Sequence, residues 1–379
     1  MEWRFQLESA GCGSRLFEMS GNEPEIFFHR TRAARKIMVL DLGFLGDTVH
    51  LLPALWIIRQ AYPKSELHVA VASHITSLME CVPWVNHTWG YMRYPRHATL
   101  KENWQIISRL RREKFDLVIN LNGSDRSSWL TFLSGARERL GRVPRDGGPL
   151  FWRQMFTAQV EHPSGQEPIY EQNCRCLEKA GFPLTKHEFR AEISPALLHA
   201  AELTEADTGN YFHISPFTTA DRRELSPTQL AGFIKALRQT FPEKKVVLSC
   251  APTERERQKM AGLLALMPEK PWRVYAGKLK LPQLAAVIQR SALHFCGDTG
   301  TLHLATMTNT PTIAWFWPDP SPEHLRHWVP KGESFRILFG AYEPHEQYLG
   351  RIEPGELVRA AQSILTARAN PACGSCGEN

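Results

Sequence analysis

The chain has 379 residues, enough for two domains at roughly 100–200 residues each. Hydrophobic residues make up 43% and charged residues 22%, the balance of a soluble globular enzyme and not of a disordered or collagen-like chain. The formal net charge is +6 with no single basic tract. That argues against nucleic acid and suits phosphorylated small molecules or an anionic membrane surface.

Eight cysteines stand at 12, 81, 174, 176, 250, 296, 373 and 376. Cys250 and Cys296 fall at the ends of predicted buried strands, where a thiol acts as a small apolar group, so the pattern fits a reducing compartment. Cys373-Gly-Ser-Cys376 follows Pro371 near the end of the chain. It reads as part of a flexible tail rather than half of a zinc site, because Cys174 and Cys176 have the wrong spacing for the other half. No apolar run reaches about 18 residues, and the first 34 residues lack a signal-peptide apolar core. Residues 1–34 are expected to be a poorly ordered extension.

Regular structure is predicted from 36–42, an apolar run of parallel-strand type. Gly43-Phe-Leu-Gly-Asp47 follows, then a helix over 48–62 that is apolar nearly all round, with Pro53 expected to delay or bend it. This unit places backbone amides and the carboxylate of Asp47 above a strand end. The glycine pattern of a dinucleotide fold is missing, which counts against an NAD-dependent dehydrogenase. Further strands are predicted at 66–72, 89–92, 115–121 and 139–143, with helices at 75–81, 100–114, 127–134 and 173–181. Arg109, Arg111, Arg112 and Lys114 on the 100–114 helix read as a solvated face. Residues 144–168, rich in Gly, Pro and aromatics, read as a surface excursion. An extended stretch at 188–194 leads to a linker near 196–209.

A second series of strand–helix units starts at 211–215. Its strands are predicted at 245–250, 272–275, 292–296 and 312–316, and its helices at 227–241, 253–266, 281–290, 299–308 and 354–367. Alternating strands and helices argue for parallel sheets covered on both faces. Two such series give an α/β protein of two doubly wound halves with ligand bound between them.

The most informative stretch is Phe295-Cys-Gly-Asp-Thr-Gly-Thr-Leu-His-Leu-Ala305. It reads as a strand, a glycine turn and a helix N-terminus, with Asp298 or Thr299 as cap. Gly297 and Gly300 allow a sharp turn and close approach. Unpartnered amides at such a helix start favour a phosphate. An ordinary capped turn is the alternative.

Four segments, taken together, resemble the ADP-heptose:lipopolysaccharide heptosyltransferases of glycosyltransferase family 9. They are Val39–Ala54 with its Gly-Asp, the loop His213–Arg223, Ala251-Pro-Thr-Glu254, and Asp298–Ala305 with Thr310-Pro-Thr312 and Phe316–Pro320. The resemblance covers about residues 36–365. It implies a GT-B fold, two Rossmann-like domains facing across a cleft: an acceptor domain at 35–195 and a donor domain at 210–352, followed by a helix at 353–368 and a tail at 369–379.

The same resemblance implies an inverting transfer of heptose from ADP-heptose to a lipopolysaccharide core or related glycan, with no metal. Asp47 matches the general base. Thr218, Thr219 and Arg223 match groups set against the phosphates, Glu254 the ribose contact, and Asp298, Thr299, Gly300 and His303 the donor-holding turn. Where the family carries Lys-Arg-Trp-Pro, this chain has Arg222-Arg-Glu-Leu-Ser-Pro227, and arginine binds phosphate in bidentate fashion. His50 and His213 read as structural or lining residues. The implied partners are a nucleotide sugar and a glycan acceptor. The implied location is cytoplasmic, with peripheral contact at the inner membrane and no role for nucleic acid. The alternatives are a nucleotide-sugar epimerase of the same fold and a non-catalytic nucleotide-sugar-binding protein.

Overall fold

The computed structural model describes residues 26–369 except 94–95, 145–147, 149, 162–166, 184–185, 319–320, 330–333 and 343–346. The described strands form two six-stranded parallel sheets. The first contains β1 (Lys36–Leu40), β2 (Glu66–Ala72), β3 (His87–Tyr91), β4 (Leu117–Asn120), β5 (Glu138–Val143) and β6 (Ala158–Glu161), in the order β3-β2-β1-β4-β5-β6. The second contains β7 (Tyr211–Ser215), β8 (Lys245–Cys250), β9 (Arg273–Ala276), β10 (Leu293–Gly297), β11 (Thr312–Phe316) and β12 (Phe335–Phe339). It repeats that order as β9-β8-β7-β10-β11-β12. In each sheet the winding reverses between the first and fourth strands. Ligands of open α/β sheets bind outside the strand ends at that point.

The helices are α1 (Phe27–Thr31), α2 (Leu45–Ala61), α3 (Leu100–Glu113), α4 (Asp125–Leu133), α5 (Trp152–Met155), α6 (Ile169–Lys179) and α7 (Pro195–His199). They continue with α8 (Pro227–Thr240), α9 (Glu254–Ala265), α10 (Leu281–Arg290), α11 (Gly300–Met307), α12 (Pro322–Trp328) and α13 (Pro354–Ala369). Helix α2 is apolar on all sides because it is covered on all sides, with Val49, Leu51, Leu52, Ala54, Leu55, Ile57 and Ile58 buried. One apolar cluster runs from β1 through α2 into Ala285, Ile288, Leu304, Ala305 and Met307 of α10 and α11, so the two halves share a core.

The structure departs from four expectations. Helix α2 starts at Leu45 and runs through Pro53, neither delayed nor ended by it. Residues 27–34, assigned to the extension, belong to the first domain: Phe28 packs on Tyr62 and Phe182 at ring separations of 5.6 and 5.1 Å. Strand β6 lies inside the expected surface excursion. Strand β12 was not foreseen. Both are sheet edges whose side chains are mostly part-exposed, so neither carries a continuous apolar run. Residues 1–25 and the Cys373–Cys376 pair lie outside the described residues. Among the described residues no helix is long and apolar enough to cross a membrane.

Candidate active site

The first half of the site grows from the end of β1. Asp41 turns its carboxylate back over its own loop, where Oδ1 accepts from the Gly43 amide at 2.9 Å and from Asn122 Nδ2 at 3.3 Å. Asp47, in the first turn of α2, accepts from the Phe44 amide through Oδ2 at 2.7 Å. It therefore caps its helix while lying at the strand end. A carboxylate has about four acceptor sites, so the cap does not exhaust it. Gly43 is required by this packing: a Cβ there would sit 2.3 Å from the Asp47 Cβ.

Two guanidinium groups face this pair. Arg93 stacks on the Phe44 ring at 4.5 Å and donates to the Leu42 carbonyl at 2.5 Å. Arg142 is buried and donates to Gln172 Oε1 and Asn173 Oδ1, each at 2.8 Å. Asn173 in turn donates to the His50 carbonyl at 3.2 Å. Burial raises the Asp47 pKa, and the Phe44 amide and Arg93 offset only part of it. Burial and the neighbouring Asp47 push Asp41 up to about 7. A carboxylate raised in this way is a stronger base once ionised. Asp41, Arg93 and Arg142 were not singled out from sequence. The available signal was a charge inside or at the end of a predicted buried strand.

The second half grows from the ends of β7 and β10. Asp298 does not cap α11; its Oδ2 faces Arg223 Nη1 at 3.7 Å and His324 Nε2 at 3.3 Å. Thr299 occupies the N-cap position, but its side chain makes no capping hydrogen bond. The first amides of α11 are thus left without a side-chain partner, the condition that favours an anion. Gly297 and Gly300 are absent from the residues with positive φ, so the sharp-turn explanation for them is wrong. Their role is close approach, with Thr218 Cγ2 2.6 Å from a Cβ at 297 and Leu45 Cδ2 2.7 Å from one at 300.

Arg223 stacks on Trp317 at 4.2 Å, which holds it beside Asp298. Thr218 is buried, and its hydroxyl donates to the Ala220 carbonyl at 2.9 Å, whereas Thr219 is exposed. The loop carrying all three is braced by a charge cluster the sequence did not announce. Buried Glu224 accepts from the Thr218 amide, from Arg255 Nη2 at 2.9 Å and from Lys259 Nζ at 2.6 Å. Asp221 pairs with the same two bases. Glu254 opens α9 but is exposed, bonded to Arg257 and Gln258 of its own helix. His213 lies in the sheet core, bonded to His294 and Ser249 at 2.9 Å each.

His303 joins the two halves. Its Nδ1 lies 3.3 Å from His50 Nε2, and its Nε2 would be 2.8 Å from a Cβ at Gly46. Trp328 flanks both rings at 5.3 and 5.4 Å. Burial lowers His303 to about 4 and His50 well below the usual imidazole value. Both rings are therefore neutral near pH 7. The structure brings the first turns of α2, which carry Asp47, against the start of α11 through Leu45 at Gly300, Gly46 at His303 and His50 at His303, and it pairs Arg223 with Asp298.

Glu66, His68 and His87 form a cluster of metal-ligand type at the opposite end of the first sheet. Trp89 Nε1 donates to His68 Nδ1 at 3.0 Å. Indole N–H is only a donor, so the neutral ring carries its proton on Nε2, facing Glu66 Oε1 at 3.1 Å. A protonated nitrogen is closed to a metal.

A buried carboxylate in the first turn of α2 thus lies on one side of the domain contact, and the start of α11, with the Arg223–Asp298 pair, on the other. The family model for glycosyltransferase family 9 (heptosyltransferase) matches residues 103–347. The chain belongs to this family. It is a glycosyltransferase. Among its family-9 relatives, lipopolysaccharide heptosyltransferase 3 of Escherichia coli is 24% identical over 339 residues, covering 86% of this chain and 97% of that protein. The solved family-9 transferase of Veillonella parvula covers 88% of this chain and 97% of its own, at 19% identity and a TM-score of 0.73. The E. coli heptosyltransferase WaaC, solved with ADP-2-deoxy-2-fluoro heptose, covers 88% and 99% at 17% identity and a TM-score of 0.65. These two likenesses establish the GT-B fold.

Proposed function

We propose that this family-9 enzyme moves a heptose from ADP-heptose to a lipopolysaccharide core or related glycan, with inversion at the anomeric carbon. The observation that carries the proposal is the opposition of Asp47, on the first turn of α2, to the uncapped start of α11, with Leu45 packed on Gly300. An acceptor hydroxyl attacks the anomeric carbon from the Asp47 side. The bond from that carbon to the ADP oxygen breaks, ADP departs with the electron pair, and Asp47 takes the hydroxyl proton. The raised pKa of Asp47 strengthens it for that step.

Charge builds up on the departing diphosphate. Arg223, held by Trp317 and Asp298, and the start of α11, which has no side-chain cap, are positioned to receive it without a metal ion. The names of the E. coli relatives, one bound to an ADP-heptose analogue, support this choice of donor and acceptor class. The acceptor class also supports peripheral work at the cytoplasmic face of the inner membrane. Calorimetry with ADP, UDP and GDP tests the donor. Binding of ADP in strong preference is expected, and equal binding of all three would overturn the assignment. Turnover unchanged by a chelator is expected, and its loss would overturn the metal-free step.

A further inference from the structure

Eleven large apolar side chains are exposed among the described residues, and six of them belong to three neighbouring pieces of the first domain. Leu100 (90% exposed) and Trp104 (70%) lie on α3, Trp129 (47%) and Phe132 (41%) on α4, and Leu150 (77%) and Phe151 (41%) just before α5. Trp129 stacks on Phe151 with ring centres 6.0 Å apart and meets Phe132 edge-on at 6.3 Å. The segment holding Phe151 is tied to α4 by Trp152 Nε1, which donates to Asp125 Oδ1 at 2.8 Å. Helix α3 is tied in through Tyr91, whose hydroxyl donates to Asn103 at 2.7 Å and whose ring lies 5.9 Å from the Arg126 guanidinium. A soluble monomer seldom leaves so many aromatic and aliphatic side chains together in water without a use for them.

The charge of this region is mixed but basic on balance. The basic excess, dispersed as it looks along the sequence, is concentrated here. Residues 100–155 hold eleven Lys and Arg against six Asp and Glu, a net +5 of the chain's +6. Arg126, Arg137 and Arg153 are exposed in this stretch, and the Arg139 guanidinium lies 5.8 Å from the Phe132 ring. Tryptophan and phenylalanine that enter the headgroup layer, ringed by bases that meet anionic lipid, are the chemistry of a membrane-surface anchor. A protein partner would need an apolar face but gives no reason for the surrounding excess of arginine.

The face also adjoins the cleft. Ser124, the N-cap of α4, donates to Asn122 Oδ1 at 2.6 Å, and Asn122 Nδ2 donates to Asp41 Oδ1 at 3.3 Å. We propose that the face formed by Leu100, Trp104, Trp129, Phe132, Leu150 and Phe151 docks the first domain on an anionic lipid bilayer. Docked there, the mouth of the cleft meets the headgroup layer beside Asp47. The inference rests on the proposed lipopolysaccharide-type acceptor, because such an acceptor is carried by a membrane.

The test is flotation of the full chain with vesicles of phosphatidylcholine, alone or with roughly one-third phosphatidylglycerol. Flotation with the anionic vesicles, weakened by salt, is expected. The pair Trp129→Ser and Phe151→Ser should reduce it roughly tenfold or more, and Trp104→Ser alone should reduce it by a smaller factor. Calorimetry should show the same ADP affinity in all three proteins, which keeps misfolding out of the result. No flotation of the wild type, or equal flotation of the variants, would overturn the proposal. So would a concentration-dependent dimer that the double variant dissolves in the absence of vesicle binding. Failure of the wild type to bind ADP would instead strike the donor assignment and leave the flotation result standing.

Discussion

His50 Nε2 and His303 Nδ1 meet at 3.3 Å, one ring from each domain. His50 lies one turn along α2 from Asp47, and His303 one turn along α11 from Gly300. The contact therefore fixes the spacing between the proposed base and the proposed donor site. It is also built from two imidazoles that burial keeps neutral.

That neutrality gives stability a defined pH dependence. The folded-state value of His303 falls to about 4 and that of His294 to about 3, with His50 and His213 lowered as well. Below an unfolded value of about 6.5 the unfolded chain takes up protons that the folded chain refuses, so stability falls as pH falls through that window. Asp41 and Asp47 act in the opposite sense, since their raised values favour the folded state at low pH and lose that contribution as pH rises. Four imidazoles outweigh two carboxylates. The melting temperature is expected to drop between about pH 7.5 and about pH 5, and His303→Gln should flatten the drop. A melting temperature that rises on acidification would contradict the neutral-histidine contact.

Gly43→Ala isolates the placement of Asp47. The added Cβ would fall 2.3 Å from the Asp47 Cβ, so the carboxylate has to move while the donor domain is untouched. Turnover should fall by roughly 10²-fold, the cost of about 1 Å of misplacement. ADP affinity should stay level in calorimetry. An active Gly43→Ala enzyme would show that the carboxylate position does not govern the rate.

Asp298→Ala should act on the other half. It removes the partner that holds Arg223 at 3.7 Å over the uncapped start of α11. ADP affinity is expected to weaken roughly tenfold, as for loss of one charge-assisted contact. Unchanged affinity by calorimetry would move the donor site elsewhere.

Much of this was legible in the sequence because parallel strands buried on both faces are written as apolar runs. The strands 66–72, 211–215, 245–250 and 312–316 stand in the structure where the pattern put them. Edge strands β6 and β12 lack that pattern and were missed. Asp47 and Asp298 stand out from their glycine loops, and the roles expected of them, of Arg223 and of His303 come from a resemblance spread over four segments. The parts that stayed hidden depend on distant residues. Arg142 reaches Gln172 and Asn173, and Glu224 gathers Arg255 and Lys259. Such pairings exist only once the fold has closed. Glu254 shows the converse, a residue that fits a motif but bonds within its own helix.

The most direct measurement compares transfer from ADP-heptose by the wild type and by Asp47→Asn, with ADP affinity determined on both. Asn keeps the shape of the side chain and removes the base. A fall in turnover of about 10²–10⁴-fold with ADP affinity preserved is expected. Turnover within a few-fold of wild type would contradict it.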